Sequence, residues 1–140
     1  MRISLGYPSR DAERKLLAGN GRRAAADALL PVISQQQLQQ LQAAALAVHA
    51  SDALLDYVQD LIAATRNGQW FAQGLSPRAG IALLRAAKTI ALMEGRDYVA
   101  PDDVQAILPQ VIAHRLIPVG HAGRSAVEQV RAMMQAVPLS

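Results

Sequence analysis

Apolar positions recur along this chain mostly at intervals of three and four, the period of a helix lying on a core. Leu38, Leu41, Ala45 and Val48 are spaced 3, 4 and 3, with Ser34 before them as a cap and glutamines expected to face water between them. Leu54, Leu55, Val58, Leu61 and Ile62 form the cleanest stripe. It starts at Ser51 and stops at Asn67-Gly68, with Asp52 and Asp56 toward its positive end and Arg66 toward its negative end. The longest predicted helix runs from Pro77 to about Glu94, with Ile81, Leu84, Ala87, Ile90 and Ala91 as its face and Gly95 as its stop. Alanines at 82, 86 and 87 would let neighbouring helices approach closely. Pro101-Asp102-Asp103 reads as a helix first turn, followed by Val104, Ile107, Leu108, Val111 and Ile112. Pro109 is expected to kink or split that helix. A last helix, from Ser125 to about Ala136, turns Val127, Val130 and Met134 inward.

The N-terminal part is less regular. Ile3 to Leu5 is extended in character and ends at Gly6 and Pro8, and so short a strand reads as the edge of something larger. Ser9 caps a predicted helix whose Leu16 and Leu17 face inward and which Gly19-Asn20-Gly21 stops. Residues 20–33 read mainly as a connection, with room for a short helix over Ala24–Leu30 closed by Pro31. Residues 69–75 form a loop carrying Trp70 and Phe71. The expected fold is all-α, a small bundle of five or six helices with at most very short extended segments.

Composition narrows the function more than the fold. The chain has 140 residues, 51% of them hydrophobic, which suits one domain with a real core. The absence of cysteine excludes disulfides and thiolate metal sites. A net charge of +3 permits contact with nucleic acid or nucleotide phosphates without arguing for either. No apolar run reaches the roughly 18 residues of a membrane span, and no apolar signal core opens the chain, so a cytoplasmic location is expected. No Gly-Lys pair exists, hence no phosphate loop of the G-x-x-x-x-G-K-[ST] kind, and there is no G-x-S-x-G turn. His49, His114 and His121 share no metal-ligand spacing. Asp102 and Asp103 are neighbours on different helix faces, and helix capping accounts for them. The chain displays no catalytic apparatus of its own.

One stretch stands out: Gly74-Leu75-Ser76-Pro77-Arg78-Ala79-Gly80. With Ser76 as cap and Pro77 at the first helical position, Arg78 falls where the helix dipole disfavours a cation by a few tenths of a kcal/mol. Two readings stand at this point. Arg78 is a solvated side chain that tolerates its position, or it belongs to an anion site shared with the helix N-terminus, its guanidinium gripping phosphate oxygens bidentately. Arg85 and Lys88 extend a basic stripe along the same helix, and Arg22-Arg23 lies in the connection. Solvation accounts for Lys88 and for the Arg22-Arg23 pair.

Residues 74–116, from "GLSPRAG" through "AHRL", resemble the C-terminal lid of MoxR-type AAA+ ATPases. "MRISLGYPSRDAERKLL" at 1–17 is similar to that family's passage from the last core strand into the lid, and "SDALLDYVQDLIAATR" at 51–66 to the helix between. The resemblance implies a division at residue 8: 1–8 as the end of the core strand and the hinge, 9–140 as the helical lid. It implies that Arg78 is the sensor 2 residue reaching the γ-phosphate of ATP, with Ser76 beside it, and that Tyr7 and Pro8 border the adenine. It further implies a phosphate loop and an acidic Mg²⁺ motif upstream of Met1, and so no hydrolysis by this chain alone. Ring assembly, usually hexameric, and chaperone-like work with von Willebrand A-domain partners are family expectations as well. Two positions depart from the family: Leu75 stands where a small residue is common, and Ala100 where threonine is common, which forgoes a cap worth about 1 kcal/mol. The alternatives are a small basic nucleic-acid-binding domain, whose DNA affinity would fall steeply with salt, and a helical adaptor whose partner binding ignores Arg78.

Overall fold

The computed structural model describes residues 1–18, 29–120 and 125–139. Six α-helices follow one another among them: α1 (Arg10–Leu17), α2 (Gln35–Ala47), α3 (Asp52–Arg66), α4 (Pro77–Met93), α5 (Pro101–Ile112) and α6 (Ala126–Ala136). A single 3₁₀ turn, Ala113–Arg115, continues α5. Serine caps set most of the starts. The side chains of Ser9, Ser34, Ser51 and Ser125 accept from the N–H groups of Ala12, Gln37, Leu54 and Glu128. Gly68 and Gly95, both at φ +75, turn the chain just past the ends of α3 and α4 where a side chain would be strained.

The core lies among α3 to α6. Leu54, Tyr57, Val58 and Leu61 of α3 meet Leu83, Ala87 and Ala91 of α4, Val104, Leu108 and Val111 of α5, and Val130 and Met133 of α6. The most extensive pairing is α4 against α5. It is close because α4 presents Ala79, Leu83, Ala87 and Ala91, one residue per turn and three of them alanine. That is a rotation from the predicted face. Ile81 is 55% exposed, and Leu84 and Ile90 sit at the flanks, because bulky side chains would hold α5 away. α6 is rotated in the same sense: Gln129, Val130 and Met133 are buried, whereas Val127 is exposed and Met134 is on the edge.

Other expectations need correction. Leu16 and Leu17 do not face inward; α1 buries no residue, since nothing in the described chain covers it. The α2 stripe is real as a helix but Leu38 and Leu41 remain about half exposed, and only Val48, just past its end, is buried. Pro109 does not split α5, which runs three residues beyond it to Ile112. No strand forms at Ile3–Leu5 among the described residues; the segment is tied by the Arg2 N–H donating to the Gln110 carbonyl at 2.8 Å. The expected Gly19-Asn20-Gly21 stop, most of the Ala24–Leu30 helix and the Arg22-Arg23 pair lie outside the described residues, and Leu29 and Leu30 are not helical. Extended pairing among the described residues consists of two isolated bridges, His49 with Tyr98 and Phe71 with Pro118.

Candidate functional site

The Gly74–Gly80 stretch is built onto the end of α3. Thr65, fully buried, donates its hydroxyl hydrogen to the Ile62 carbonyl at 2.6 Å, and its oxygen accepts from the Leu75 N–H at 3.1 Å. Arg66 Nε donates to the Leu75 carbonyl at 2.9 Å. Both backbone polar groups of Leu75 are therefore held by consecutive α3 residues, and its side chain enters the core. Position 74 must be glycine for this approach: a Cβ there would run into Arg66 Cγ and lie 2.9 Å from Arg66 Cα. Gly80 sits against Ile62, whose Cδ1 a Cβ would meet at 2.5 Å, and Ala79 is 1% exposed.

Gly74, Leu75, Ala79 and Gly80 are thus committed to packing, and Pro77 occupies the first helical position. Ser76 has the extended backbone of a cap, and its carbonyl accepts from the Ala79 and Gly80 N–H groups at 2.9 and 3.4 Å. Its hydroxyl makes no capping bond. The Arg78 side chain is exposed and forms no ion pair among the described residues, and the Arg78 N–H has no acceptor there. No acidic residue stands in the first turn of α4. The uncommitted donors at the start of α4 include the Ser76 hydroxyl, the Arg78 N–H and the Arg78 guanidinium, at the positive end of a 17-residue helix. Such a donor set suits a multiply charged oxyanion.

The structure brings Ser76 and Arg78 together. It shows no bond from Tyr7 or Pro8 to Ser76 or Arg78 among the described residues: both are exposed, Tyr7 fully so. Lys88, read from sequence as a solvated side chain, instead donates to the Leu46 carbonyl at 3.0 Å and ties the end of α2 to α4. Among the described residues no three His, Asp or Glu side chains gather as metal ligands.

Sequence reasoning missed one support of the site and one polar cluster outside it. The Thr65 and Arg66 clamp has no local signature, because its partner lies nine or ten residues onward. The polar cluster lies at the far end of α4, away from Arg78. Arg96 grips both oxygens of Asp103, at 2.6 and 2.7 Å, and also bonds Glu94 at 2.7 Å. Asp103 Oδ2 accepts from the Ala100 N–H at 2.7 Å. The guanidinium holds the Asp103 carboxyl below its usual range, against the opposing effect of burial and with help from the Ala100 N–H. Capping is therefore only part of what Asp103 does; it fixes the α4–α5 turn where Ala100 supplies no cap. The adjacent aspartate pair hinted at an N-terminus, but nothing in the sequence named Arg96 as partner.

Comparison with known proteins places this geometry. The family described as AAA lid domain matches residues 63–136, which contain Arg78 and helices α4 to α6. Chaperone MoxR1 of Mycobacterium tuberculosis is 36% identical in a match covering 83% of this chain and 33% of that protein. Protein MoxR of Paracoccus denitrificans is 35% identical, over 83% of this chain and 40% of its own length. A solved structure of an ATPase candidate from Cytophaga hutchinsonii superposes on the whole chain with a TM-score of 0.77 and 25% identity, using 46% of its own chain. The chain thus spans a third to two fifths of the length of these curated relatives. With the matched residues running through the arginine-bearing turn and the three helices behind it, the chain belongs to the AAA lid domain family, in the form carried by MoxR proteins.

Proposed function

We propose that this chain is the lid of a MoxR-like AAA+ ATPase and that Arg78 is its sensor 2 arginine, directed at the γ-phosphate of ATP. The observation that supports this reading is the state of Arg78: exposed, without an ion-pair partner among the described residues, and carried on a helix start whose neighbours are locked in place. The donors present fit a phosphate. They do not by themselves fit a base, since Tyr7 and Pro8 stand in solvent; their place beside adenine depends on the nucleotide-binding core.

In this reading residues 1–8 are the end of the core and the hinge, and 9–140 form the lid. Bound ATP, with Mg²⁺ held by the core, supplies the bond to be cleaved. Arg78 neutralises charge that builds on the transferring phosphoryl group, and the Ser76 hydroxyl and Arg78 N–H add donors on the same side. The clamp from Thr65 and Arg66 keeps the guanidinium in register, so closing the lid delivers it as part of a rigid body. The parent protein would assemble as a ring, usually a hexamer, and do chaperone-like work in protein maturation, with von Willebrand A-domain proteins as candidate partners.

The test is ATP hydrolysis by the full-length gene product, wild type beside Arg78→Ala and Arg78→Lys. Loss of one charge-assisted contact to the transferring phosphate should slow turnover by about 10²-fold in the alanine variant. Lysine should recover only part of it, since it lacks the planar fork. Unchanged turnover in Arg78→Ala, with helix content intact by circular dichroism, would return Arg78 to the solvated surface.

A further inference from the structure

The loop that leads into the Arg78 turn is fastened on two sides. On one side stands the Thr65 and Arg66 clamp on Leu75. On the other stands the segment after α5. The Ala72 N–H donates to the Ile117 carbonyl at 2.9 Å, and the Val119 N–H donates to the Trp70 carbonyl at 3.1 Å. Phe71, paired with Pro118, is buried between them. A third element reaches the loop from α6: Gln129 Nε2 donates to the same Trp70 carbonyl at 3.2 Å.

Stability alone does not explain an amide at position 129. The side chain is fully buried, and its Oε1 has no hydrogen-bond partner among the described residues. A buried acceptor left unmet is destabilising. Val130 and Met133 beside it on α6 are core residues, so an apolar side chain of the same length would suit the place. Nor does the Trp70 carbonyl lack a donor, since Val119 supplies one. What the amide adds is direction: a second donor, carried on a packed helix, holds the carbonyl in one place.

We propose that Gln129 is a positioning residue for Arg78, fixing the loop from Trp70 to Leu75 from the α6 side; the proposal rests on the sensor 2 reading of Arg78. Leu75 is held from α3 and Trp70 from α6, and Ser76 and Arg78 follow directly along the chain. With the Trp70 end loosened, the start of α4 samples more orientations. A guanidinium misplaced by about 1 Å loses much of its effect on a transferring phosphoryl group. Gln129 itself touches neither Ser76 nor Arg78; it acts through the loop.

The experiment compares wild type, Gln129→Met, Arg78→Ala and the double variant. Methionine keeps the length of the side chain, removes both the donor and the unmet acceptor, and leaves Val119 on the Trp70 carbonyl. Expected for Gln129→Met is a thermal unfolding midpoint within about 3 °C of wild type, or above it. Amide exchange at Ala72 and Leu75 should be at least about fivefold faster. ATP turnover by the full-length gene product should fall about tenfold. Added to Arg78→Ala, the substitution should change turnover by less than about twofold, because no guanidinium is left to misplace. Wild-type turnover or wild-type Leu75 exchange in Gln129→Met, beside a slow Arg78→Ala, overturns the proposal and leaves the sensor 2 reading standing. A midpoint lower by more than about 3 °C also overturns it, since the amide would then be a bond the fold requires. So does an undiminished further slowing of Arg78→Ala. Wild-type turnover in Arg78→Ala overturns both readings together.

Discussion

Gly74 and Gly80 bracket the Arg78 turn, and alanine at the two positions should have consequences of very different size. At position 80 the new methyl meets only Ile62 Cδ1, the far end of a flexible side chain that can change rotamer at a cost of about 0.5–1.5 kcal/mol. Replacing a helical glycine returns roughly 0.5–1 kcal/mol, so Gly80→Ala should lie within about 1 kcal/mol of wild type. At position 74 the methyl meets the Arg66 backbone, and rotating a side chain does not relieve that. The turn must move off α3, and two hydrogen bonds go with it: Leu75 N–H to Thr65, and Arg66 to the Leu75 carbonyl. Leaving the buried Leu75 N–H unmet costs about 1–3 kcal/mol, and the partly exposed arginine bond adds about 1 kcal/mol. Gly74→Ala should therefore lose about 2–4 kcal/mol, a fall in Tm of roughly 6–12 °C for a domain of this size. Thermal unfolding of the two variants by circular dichroism measures both. A Gly74→Ala protein that melts within 2 °C of wild type, or a Gly80→Ala protein that is the less stable of the two, would refute the clamp.

Leu83→Ala should cost about 3 kcal/mol, and Ile81→Ala under 1 kcal/mol, by urea unfolding; the reverse order would restore the face read from sequence. Asp103→Ala should lower stability by about 2 kcal/mol through loss of the Arg96 and Ala100 bonds. The same carboxyl sets an acid dependence. Its folded pKa lies below its unfolded value, so its stabilisation is complete above about pH 4 and drains away as pH falls through the folded pKa. A pH series of unfolding midpoints should be flatter below pH 4 in Asp103→Ala than in wild type. Leu17→Gln should change stability by less than about 0.5 kcal/mol, because Leu17 is 82% exposed; a larger loss would mean that α1 is covered.

The existence of the helices and the position of Arg78 were legible because both rest on local signals. Serine caps, Pro77 at a first turn and glycines after α3 and α4 act within a few residues, and the pattern of residues 74–116 carried the resemblance. Which side of each helix faces inward was legible only where large residues do the packing. On α3, Leu54, Val58 and Leu61 are buried as read and Leu55 and Ile62 only half so, while buried Thr65 and Tyr57, whose hydroxyl accepts from Gln105 on α5, were missed. α4 was read only in part: Ala87 and Ala91 are buried as expected, but the buried line is mostly alanine, and an apolar count weighs Ile81 above Ala79. Leu16 and Leu38 look like core residues in a list, yet helical period cannot say whether a covering surface exists. Long-range polar pairs such as Arg96 with Asp103 and Lys88 with Leu46 leave no trace in periodicity.

The attachment of α2 has a consequence for the order in which parts of the molecule open. Its C-terminal end is secured by the Lys88 contact, by buried Val48, and by His49, whose N–H donates to Asp97 at 2.7 Å and whose carbonyl accepts from Val99 at 2.9 Å. Toward Ser34 no residue of the helix is buried. Amide protons should therefore exchange along a gradient, fastest near the cap at Ser34 and slowest near Ala47, with free energies of opening well below that of the core. On that gradient α2 should behave as a separate cooperative unit held at one end, leaving and regaining its seat on α4 while the Leu83–Leu108 core stays folded.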